Sequence, residues 1–188
     1  METRLKILKE ALNLFSDRGY DAAGVQKISE AAGITKPTLY YHFGSKKGLL
    51  NALLEQHYGE LLANLREIAL LPKDLSPMLE DMAEAYFECS RKNPVFFRMQ
   101  LSMWFAPGNS DAHRAVSEYN ARQQELMEAL FMRAAERRPE LIRRHRILAA
   151  TYLGMVNTYI GLSLNGHVDL NRQIAVQAVR QFVRGIGA

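Results

Sequence analysis

The 188-residue sequence contains a single cysteine, Cys89. One thiol cannot form a disulfide framework within the chain, which excludes the small disulfide-stapled domains of secreted proteins. The N-terminal residues are charged and lack the apolar run that an export signal needs. We therefore expect a cytoplasmic protein in which Cys89 serves as a small buried apolar residue, with a redox-sensing thiol as the alternative.

Patterns typical of catalytic and metal sites are also missing. The five histidines lie at positions 42, 57, 113, 145 and 167 and show neither of the helical His spacings of zinc sites. No glycine-rich phosphate loop is present, and Cys89 has no histidine signature nearby. We predict no metal, no cofactor and no enzymatic activity, with a helical enzyme or a protein-interaction module as a remaining alternative.

Long hydrophobic runs are scarce, and residues 147–168 form the one stretch without Asp, Glu, Lys or Arg that could span a membrane. Thr, Asn, Ser and Gly residues are spread along it, which makes it only modestly hydrophobic for a lipid environment, so we expect no membrane partner. A helix without charge on any face must be buried on most faces. In a chain this small, this predicts packing against a second subunit.

The remaining composition is that of a soluble globular protein, with 48% apolar and 23% charged residues. The formal net charge is +4, and the positive excess lies mainly at the N-terminus. Residues 1–50 hold eight Lys or Arg and five acidic residues. This distribution permits a polyanionic partner at the N-terminal quarter.

Apolar residues recur at helical spacing along most of the chain, as at Leu5, Leu8, Leu12 and Phe15. Glycine and proline residues separate the periodic segments, and no segment alternates as a strand would. We predict an all-α fold of about nine helices. Asp169 is the expected N-cap of the last helix.

Residues 24–43 predict a helix-turn-helix, with short helices over 25–32 and 36–43 and a turn at Gly33. The start of the second helix, which enters the DNA major groove in this motif, offers groups that can hydrogen-bond base edges or touch a thymine methyl. The residues that follow it suit phosphate contacts. These groups are Thr35, Lys36, Pro37 and Thr38, followed by Tyr40, Tyr41 and His42.

The run AAGITKPTLYYHF at 31–43, with Gly19 and Tyr20 before it and residues 45–50 after it, resembles the TetR/AcrR family of bacterial transcriptional regulators. The resemblance covers about residues 1–57. It implies a helix-turn-helix DNA-binding domain over 1–48 and a larger helical domain over 49–188 that binds an effector and forms a homodimer. Double-stranded DNA is the implied partner.

The resemblance also implies which residues touch DNA. Relatives often have Ser or Thr where this chain has Gly24, so a side-chain phosphate donor is absent there, and Lys27 is the candidate replacement. The predicted DNA-binding residues are Gln26, Lys27, Thr35, Lys36, Pro37, Thr38, Tyr40, Tyr41, His42 and Lys46.

The C-terminal domain is rich in aromatic residues and methionines, which fill cores more often than they line pockets. As a set they predict an apolar cavity for a largely hydrophobic small molecule. The candidate pocket residues are Phe87, Phe97, Met103, Trp104, Tyr119, Met127, Phe131, Tyr152, Met155 and Tyr159. The candidate dimer residues on the last two helices are Leu153, Val156, Asn157, Ile160, Leu164, Val176, Val179 and Val183.

A twofold dimer places two recognition helices on half-sites about one DNA turn apart, which predicts a near-palindromic operator. The expected function is a repressor that a ligand releases from DNA. The alternative is an architectural or cell-division-related DNA-binding protein without an effector. Residues 133–146 contain an arginine-rich cluster. The sequence does not decide whether this cluster is a solvated loop, a site for an acidic partner or a set of pairs across the dimer.

Overall fold

A computed structural model of the chain describes residues 2–186. Within that range the chain forms nine α-helices and one short 3-10 turn and contains no strand, which confirms the predicted all-α fold. The helices are α1 (Glu2–Arg18), α2 (Val25–Ala32), α3 (Lys36–Phe43), α4 (Lys46–Leu70), α5 (Leu75–Lys92), α6 (Pro94–Trp104), α7 (Asp111–Ala134), α8 (His145–Leu164) and α9 (Arg172–Ile186), and the 3-10 turn spans Pro139–Leu141.

The helix ends follow the glycine and proline signals of the sequence. α1 stops one residue before Gly19, whose φ of 78° favours glycine, and α6 begins at Pro94. The cap of the last helix differs from the prediction. The N–H of Ile174 donates to Asn171 Oδ1 at 3.0 Å, so Asn171, which directly precedes α9, caps it instead of Asp169.

The chain packs as two compact units. The first unit contains the residues up to Gly59 together with Pro94–Tyr119, and the second contains Glu60–Asn93 and the residues from Asn120 onward. α4 is one continuous helix that contributes residues to both units. The sequence analysis placed a boundary after residue 48, between a DNA-binding domain and an effector-binding domain. That functional division stays a prediction.

The core of the first unit holds the two short helices in place. α1 buries Ile7, Leu8 and Phe15 and packs against α2 and α6. The ring of Tyr58 on α4 stacks on the ring of Tyr119, with centroids 5.2 Å apart and planes 13° apart. Such buried aromatic pairs stabilise the packing beyond the area that they remove from water.

The second unit is built around α5, which packs against α8 and α9. The buried hydroxyl of Tyr152 on α8 donates to the carbonyl of Leu79 on α5 at 2.7 Å, which satisfies its polar group inside the core. The ring of Phe182 on α9 lies 5.7 Å from that of Tyr152 and 6.3 Å from that of Phe131. These contacts fix the last two helices on the unit.

α8 is the one helix in the described part of the chain that is long and apolar enough to cross a membrane, with a mean hydropathy of 1.4. Core helices of soluble proteins meet the same criterion. Only 33% of its most apolar window is buried in the protein. Its exposed residues, which include Ile147, Thr151, Gly154, Thr158 and Leu162, follow helical spacing and form one uncharged stripe.

This stripe corrects half of the predicted dimer residues. The side chains of Leu153, Val156, Ile160 and Val179 are buried inside the protomer and are therefore unavailable to a partner subunit. An uncharged helix does not mark its solvent face in the sequence, which is why the predicted face was displaced. The other four residues, Asn157, Leu164, Val176 and Val183, are half-buried and stay a prediction.

Candidate functional site

The turn between α2 and α3 has the tight geometry that the motif requires. Gly33 adopts the left-handed conformation, with φ 64° and ψ 37°, and its N–H donates to the carbonyl of Glu30 at 3.0 Å. The N–H of Ile34 donates to the carbonyl of Ser29 at 2.9 Å. These bonds satisfy two of the last carbonyls of α2, and glycine adopts this conformation without strain.

The start of α3 combines a cap with exposed groups. Thr35 is the N-cap, and its hydroxyl accepts the N–H of Thr38 at 3.4 Å. The hydroxyls of Thr35 and Thr38 are 2.9 Å apart and hydrogen-bonded to each other. Pro37 suits the first turn because the N–H that it lacks has no partner within the helix. Lys36 and Pro37 are exposed at this end.

Along α3 the core and solvent faces are clearly separated. Leu39 is fully buried, whereas Tyr40 is exposed and Tyr41 has 86% of its surface accessible. The ring of His42 meets the edge of the Tyr41 ring, with 5.3 Å between centroids. So exposed a tyrosine contributes little to the core, and its ring and hydroxyl are available to a partner.

The first turn of α2 also faces solvent. Gln26 and Lys27 are exposed, and the Gln26 amide donates to Glu30 one turn later. Gly24 is the N-cap, with φ −71° and ψ 148°, and makes no side-chain cap. The backbone N–H groups at this end are therefore free of a side-chain cap, as the sequence indicated.

Lys46 is placed differently from the other predicted DNA-binding residues. Its ammonium donates to the carbonyl of Asp21 at 3.3 Å and lies 4.3 Å from the centroid of the Tyr20 ring. Burial lowers the pKa of Lys46, against the opposing charge of Asp21. Burial, with the charges of Asp111 and Asp21, raises the pKa of Tyr20 to about 12. Lys46 therefore holds the loop before α2, while its neighbour Lys47 is exposed.

Sequence reasoning missed two basic residues of α1 beside the motif. The guanidinium of Arg4 lies 5.3 Å from the centroid of the Phe43 ring at the end of α3. The ammonium of Lys6 lies 3.4 Å from the position that a Cβ on Gly33 would take. Both side chains are exposed, and together with Lys47 they extend the positive surface. The charge excess of the first 50 residues was the available signal.

No group of three or more His, Cys, Asp or Glu residues lies where a metal could bind within the part of the chain that the structure describes. Burial, together with the charges of Glu60 and Glu88, raises the pKa of the half-buried Cys89 thiol, despite a hydrogen bond from Asn93 and the charge of Lys92. The thiol is therefore disfavoured as a reactive thiolate.

Most of the predicted pocket residues lie in the core, and their role in a pocket stays a prediction. Seven of the ten are buried, and the hydroxyls of Tyr119 and Tyr152 donate to Glu55 and to the carbonyl of Leu79. The buried seven are Phe87, Phe97, Met103, Tyr119, Met127, Phe131 and Tyr152, and the half-exposed three are Trp104, Met155 and Tyr159. A cavity of about 780 Å³ in the second unit is lined by none of the ten.

Comparison with known proteins supports the DNA-binding assignment of the N-terminal region. Residues 7–53 match the family described as bacterial regulatory proteins, tetR family. The HTH-type transcriptional activator FasR of Mycolicibacterium smegmatis is 39% identical over 98 residues, which are 52% of this chain and 45% of that protein. The HTH-type transcriptional repressor KstR2 of Rhodococcus jostii is 34% identical over 85 residues, or 45% of this chain. The alignment covers 42% of that repressor, so the matches span less than half of either relative.

The whole fold also matches solved structures of regulators. The transcriptional regulator FadR from Bacillus subtilis, solved in complex with stearoyl-CoA, superposes with a TM-score of 0.80 at 16% identity. The match covers 96% of this chain and 98% of that protein and concerns the fold alone. Residues 7–53, which contain the helix-turn-helix, are therefore similar to the bacterial regulatory proteins of the tetR family, and the whole chain shares the fold of solved regulators.

Proposed function

We propose that this protein is a homodimeric transcriptional repressor of the cytoplasm that reads a near-palindromic operator and is released from it by a hydrophobic small molecule. The observation that carries the proposal is the arrangement of α3. Leu39 anchors the helix in the core, whereas Lys36, Pro37 and Tyr41 are turned to solvent at the motif's groove-facing side.

In this proposal the start of α3 reads base edges. The hydroxyls of Thr35 and Thr38 are bonded to each other and can exchange that bond for acceptors or donors on bases. Lys36 reaches guanine or phosphate oxygens, and the ring of Pro37 is suited to a thymine methyl. Tyr40, Tyr41 and His42, with Gln26 and Lys27 of α2, would fix the register through phosphates.

Dimerisation is supported by the uncharged stripe on α8. Ile147 has 69% of its surface exposed, and small or uncharged residues, Thr151, Gly154 and Thr158, continue the stripe. We assign a second copy of the chain to this face, because an apolar helix face is stabilised when it is removed from water. Two copies would hold their α3 helices about 34–36 Å apart, or one DNA turn.

A hydrophobic effector is supported by two observations. The solved regulator with the same fold was bound to stearoyl-CoA, a molecule with a long apolar chain. The second unit of this chain contains a cavity of about 780 Å³, within the roughly 300–1,000 Å³ of ligand pockets. A coupling of about 1–3 kcal/mol between effector and DNA would change the DNA affinity about 5- to 150-fold.

The test is selection of bound fragments from a random DNA pool by the purified protein at near-physiological salt. We expect enrichment of one near-palindrome whose half-sites are about one helical turn apart. A transcription assay on that sequence then gives the sign of regulation, and we expect the protein to reduce transcription.

Salt-sensitive binding without enrichment of any sequence would reject the operator and favour the architectural alternative. Absence of DNA binding at low salt, with the protein folded and dimeric, would reject the DNA-binding function altogether.

A further inference from the structure

The cavity of the second unit lies between the loop that joins α4 to α5 and the ends of α7 and α9. Its apolar wall includes Leu70, Leu71 and Leu130. Leu70 has 78% of its surface exposed, and Leu71 is exposed as well. An apolar ligand that covers two neighbouring leucines at the mouth of a cavity removes their apolar surface from water, which favours binding.

The rim of the same cavity is positively charged. Lys73, Arg133, Arg137 and Arg138 line it together with two carboxylates, those of Asp74 and Glu136, which leaves a net charge of +2. An apolar wall below a cationic rim is complementary to a molecule with an apolar tail and an anionic head.

Lys73 is paired with Asp81, but the ion pairs of the two rim arginines Arg137 and Arg138 are long and exposed. Arg137 Nη1 lies 3.7 Å from Asp74 Oδ1, and the two side chains have 86% and 87% of their surfaces exposed. Arg138 Nε lies 3.9 Å from Glu140 Oε1. Exposed pairs at such distances contribute little to stability, so a ligand can displace them at low cost.

Arg133 contacts other parts of the cavity wall. Its guanidinium donates to the carbonyl of Ala69 and lies 3.4 Å from Met78 Sδ. Within residues 2–186, no carboxylate forms an ion pair with it. A guanidinium has five N–H groups in a planar fork that fits carboxylate or phosphate oxygens, and these two contacts leave most of them available.

We propose that this cavity binds a single-chain amphiphile with an anionic head group, a carboxylate or a phosphate. The tail lies on Leu70, Leu71 and Leu130, and Arg133, Arg137 and Arg138 hold the head. The inference rests on the proposed function, because it names the chemical class of the effector and its site. It also assigns a role to half of the arginine cluster that the sequence left open.

The test is calorimetric titration of the purified dimer with four probes that share a ten-carbon chain, each below its micelle concentration or solubility limit. Decanoate and decyl phosphate distinguish the two anionic heads, and decyltrimethylammonium and decanol lack the negative charge. We expect saturable binding of at least one anion and no saturable binding of the cation. Arg137→Gln with Arg138→Gln should weaken anion binding about tenfold.

Two further variants separate the tail site from the head site. Leu70→Gln changes an exposed residue, so it should weaken binding without affecting folding. Val183→Phe should fill the cavity and reduce binding of both anions, with its melting temperature as the folding check. Arg143→Gln, which lies outside the lining, is the matched charge control and should bind as the unmodified protein does.

Equal binding of the cation and the anions, or unchanged anion binding in both Leu70→Gln and the double arginine variant, would overturn the inference. DNA binding is measured on the same samples. If the protein binds the selected operator but shows no saturable anion binding, the further inference is wrong and the proposed DNA-binding function is unaffected. If the protein binds the anion but no DNA, the proposed function is wrong and the amphiphile site is supported.

Discussion

Lys46 and Lys47 are adjacent in the sequence, yet their charges have different partners. The ammonium of Lys46 is held by the carbonyl of Asp21 and the ring of Tyr20, whereas Lys47 is exposed. A cation that is already paired inside the protein releases few counterions when DNA binds. Of the two lysines, only Lys47 therefore has the exposed charge that the proposed DNA-binding function requires.

We predict that Lys47→Ala reduces the slope of log K against log salt for DNA binding by about 0.9, the value for one phosphate contact. Lys46→Ala should leave the slope nearly unchanged and lower the melting temperature instead. Fluorescence anisotropy at several salt concentrations and calorimetry measure the two effects. Lys92→Ala, in the second unit, is the control, and equal slopes for Lys46→Ala and Lys47→Ala would contradict the prediction.

Asp81 joins two parts of the second unit. It pairs with Lys73, before α5, and with Arg172 Nη2 at 2.7 Å, at the start of α9. Burial acts to raise the pKa of Asp81, but the hydrogen bonds and charges of Lys73 and Arg172 outweigh it, so the pKa is lowered from its usual value of 3.8. The carboxylate form is thus favoured by folding.

The sign of the pH dependence follows from this direction. A carboxyl with a lower pKa in the folded state stabilises the protein fully above its unfolded pKa and loses that contribution as the pH falls through the folded pKa. Asp81→Asn should lower the free energy of unfolding by about 1 kcal/mol at pH 7, because both partners are half-exposed. The loss should vanish as the pH falls below 3.8.

Urea denaturation of Asp81→Asn and of the unmodified protein at neutral and acidic pH measures that difference. Asp169→Asn, an exposed position before α9, controls for the substitution itself. A difference between Asp81→Asn and the unmodified protein that stays constant from neutral to strongly acidic pH would rule out the ion-pair origin.

At the scale of whole elements, Gly48 determines how closely α3 and α4 approach. A Cβ on Gly48 would lie 2.0 Å from the carbonyl oxygen of Phe43, which no real contact permits. Gly59, in the same helix, has room for a Cβ, since only the flexible end of Glu55 lies near it at 3.4 Å. The two glycines of α4 therefore have opposite tolerances.

We predict that Gly48→Ala destabilises the protein by about 1–3 kcal/mol, because the backbone of α3 must move to admit the methyl group. Gly59→Ala should stabilise it by up to about 1 kcal/mol through helix propensity alone. Thermal unfolding of the pair tests this. If both variants shift the melting temperature in the same direction, the close approach at Gly48 is not the cause.

Most of the elements could be predicted from the sequence because glycine and proline mark their ends. Pro94 begins α6, and Gly19 and Gly33 follow helices directly. It was harder to predict which side of each helix faces solvent. α8 has no charge to mark its solvent side, so Val156 and Ile160 were expected at an interface and lie in the core.

The exposed residues of α3 could be predicted from the sequence because the motif fixes which positions point outward. The contacts of Lys46 could not be predicted in this way. They depend on Asp21 and Tyr20, which are separated from Lys46 by both α2 and α3. Buried aromatic and methionine residues such as Phe131 and Met127 have the same spacing whether they fill a core or line a pocket. The cavity instead lies at loops and helix ends, where periodicity carries no information.

At the scale of the whole molecule, the proposed dimer depends on the uncharged stripe of α8. Gly154 lies in that stripe, and a Cβ on it would meet nothing within 4 Å inside the protomer. We predict that Gly154→Arg leaves the protomer folded and weakens dimerisation by about 3 kcal/mol or more, because the twofold axis buries the unpaired charge from both subunits. Operator affinity should fall with it.

Sedimentation analysis and DNA binding of Gly154→Arg test this, with circular dichroism as the measure of folding. Gly154→Ala is the matched control and should remain dimeric, because it adds a methyl group without charge. A fully dimeric Gly154→Arg protein would move the interface away from this stripe.

The backbone contact at Gly48 has a consequence for genetics. Side chains absorb displacement by changing rotamer, but Gly48 and the carbonyl of Phe43 have no side chain between them. A change in the tilt of the first turns of α4 is therefore passed to α3. Suppressor mutations selected against an operator with altered half-site spacing should fall along α4. Those selected against altered bases should fall on α3, so the two classes will map to different helices.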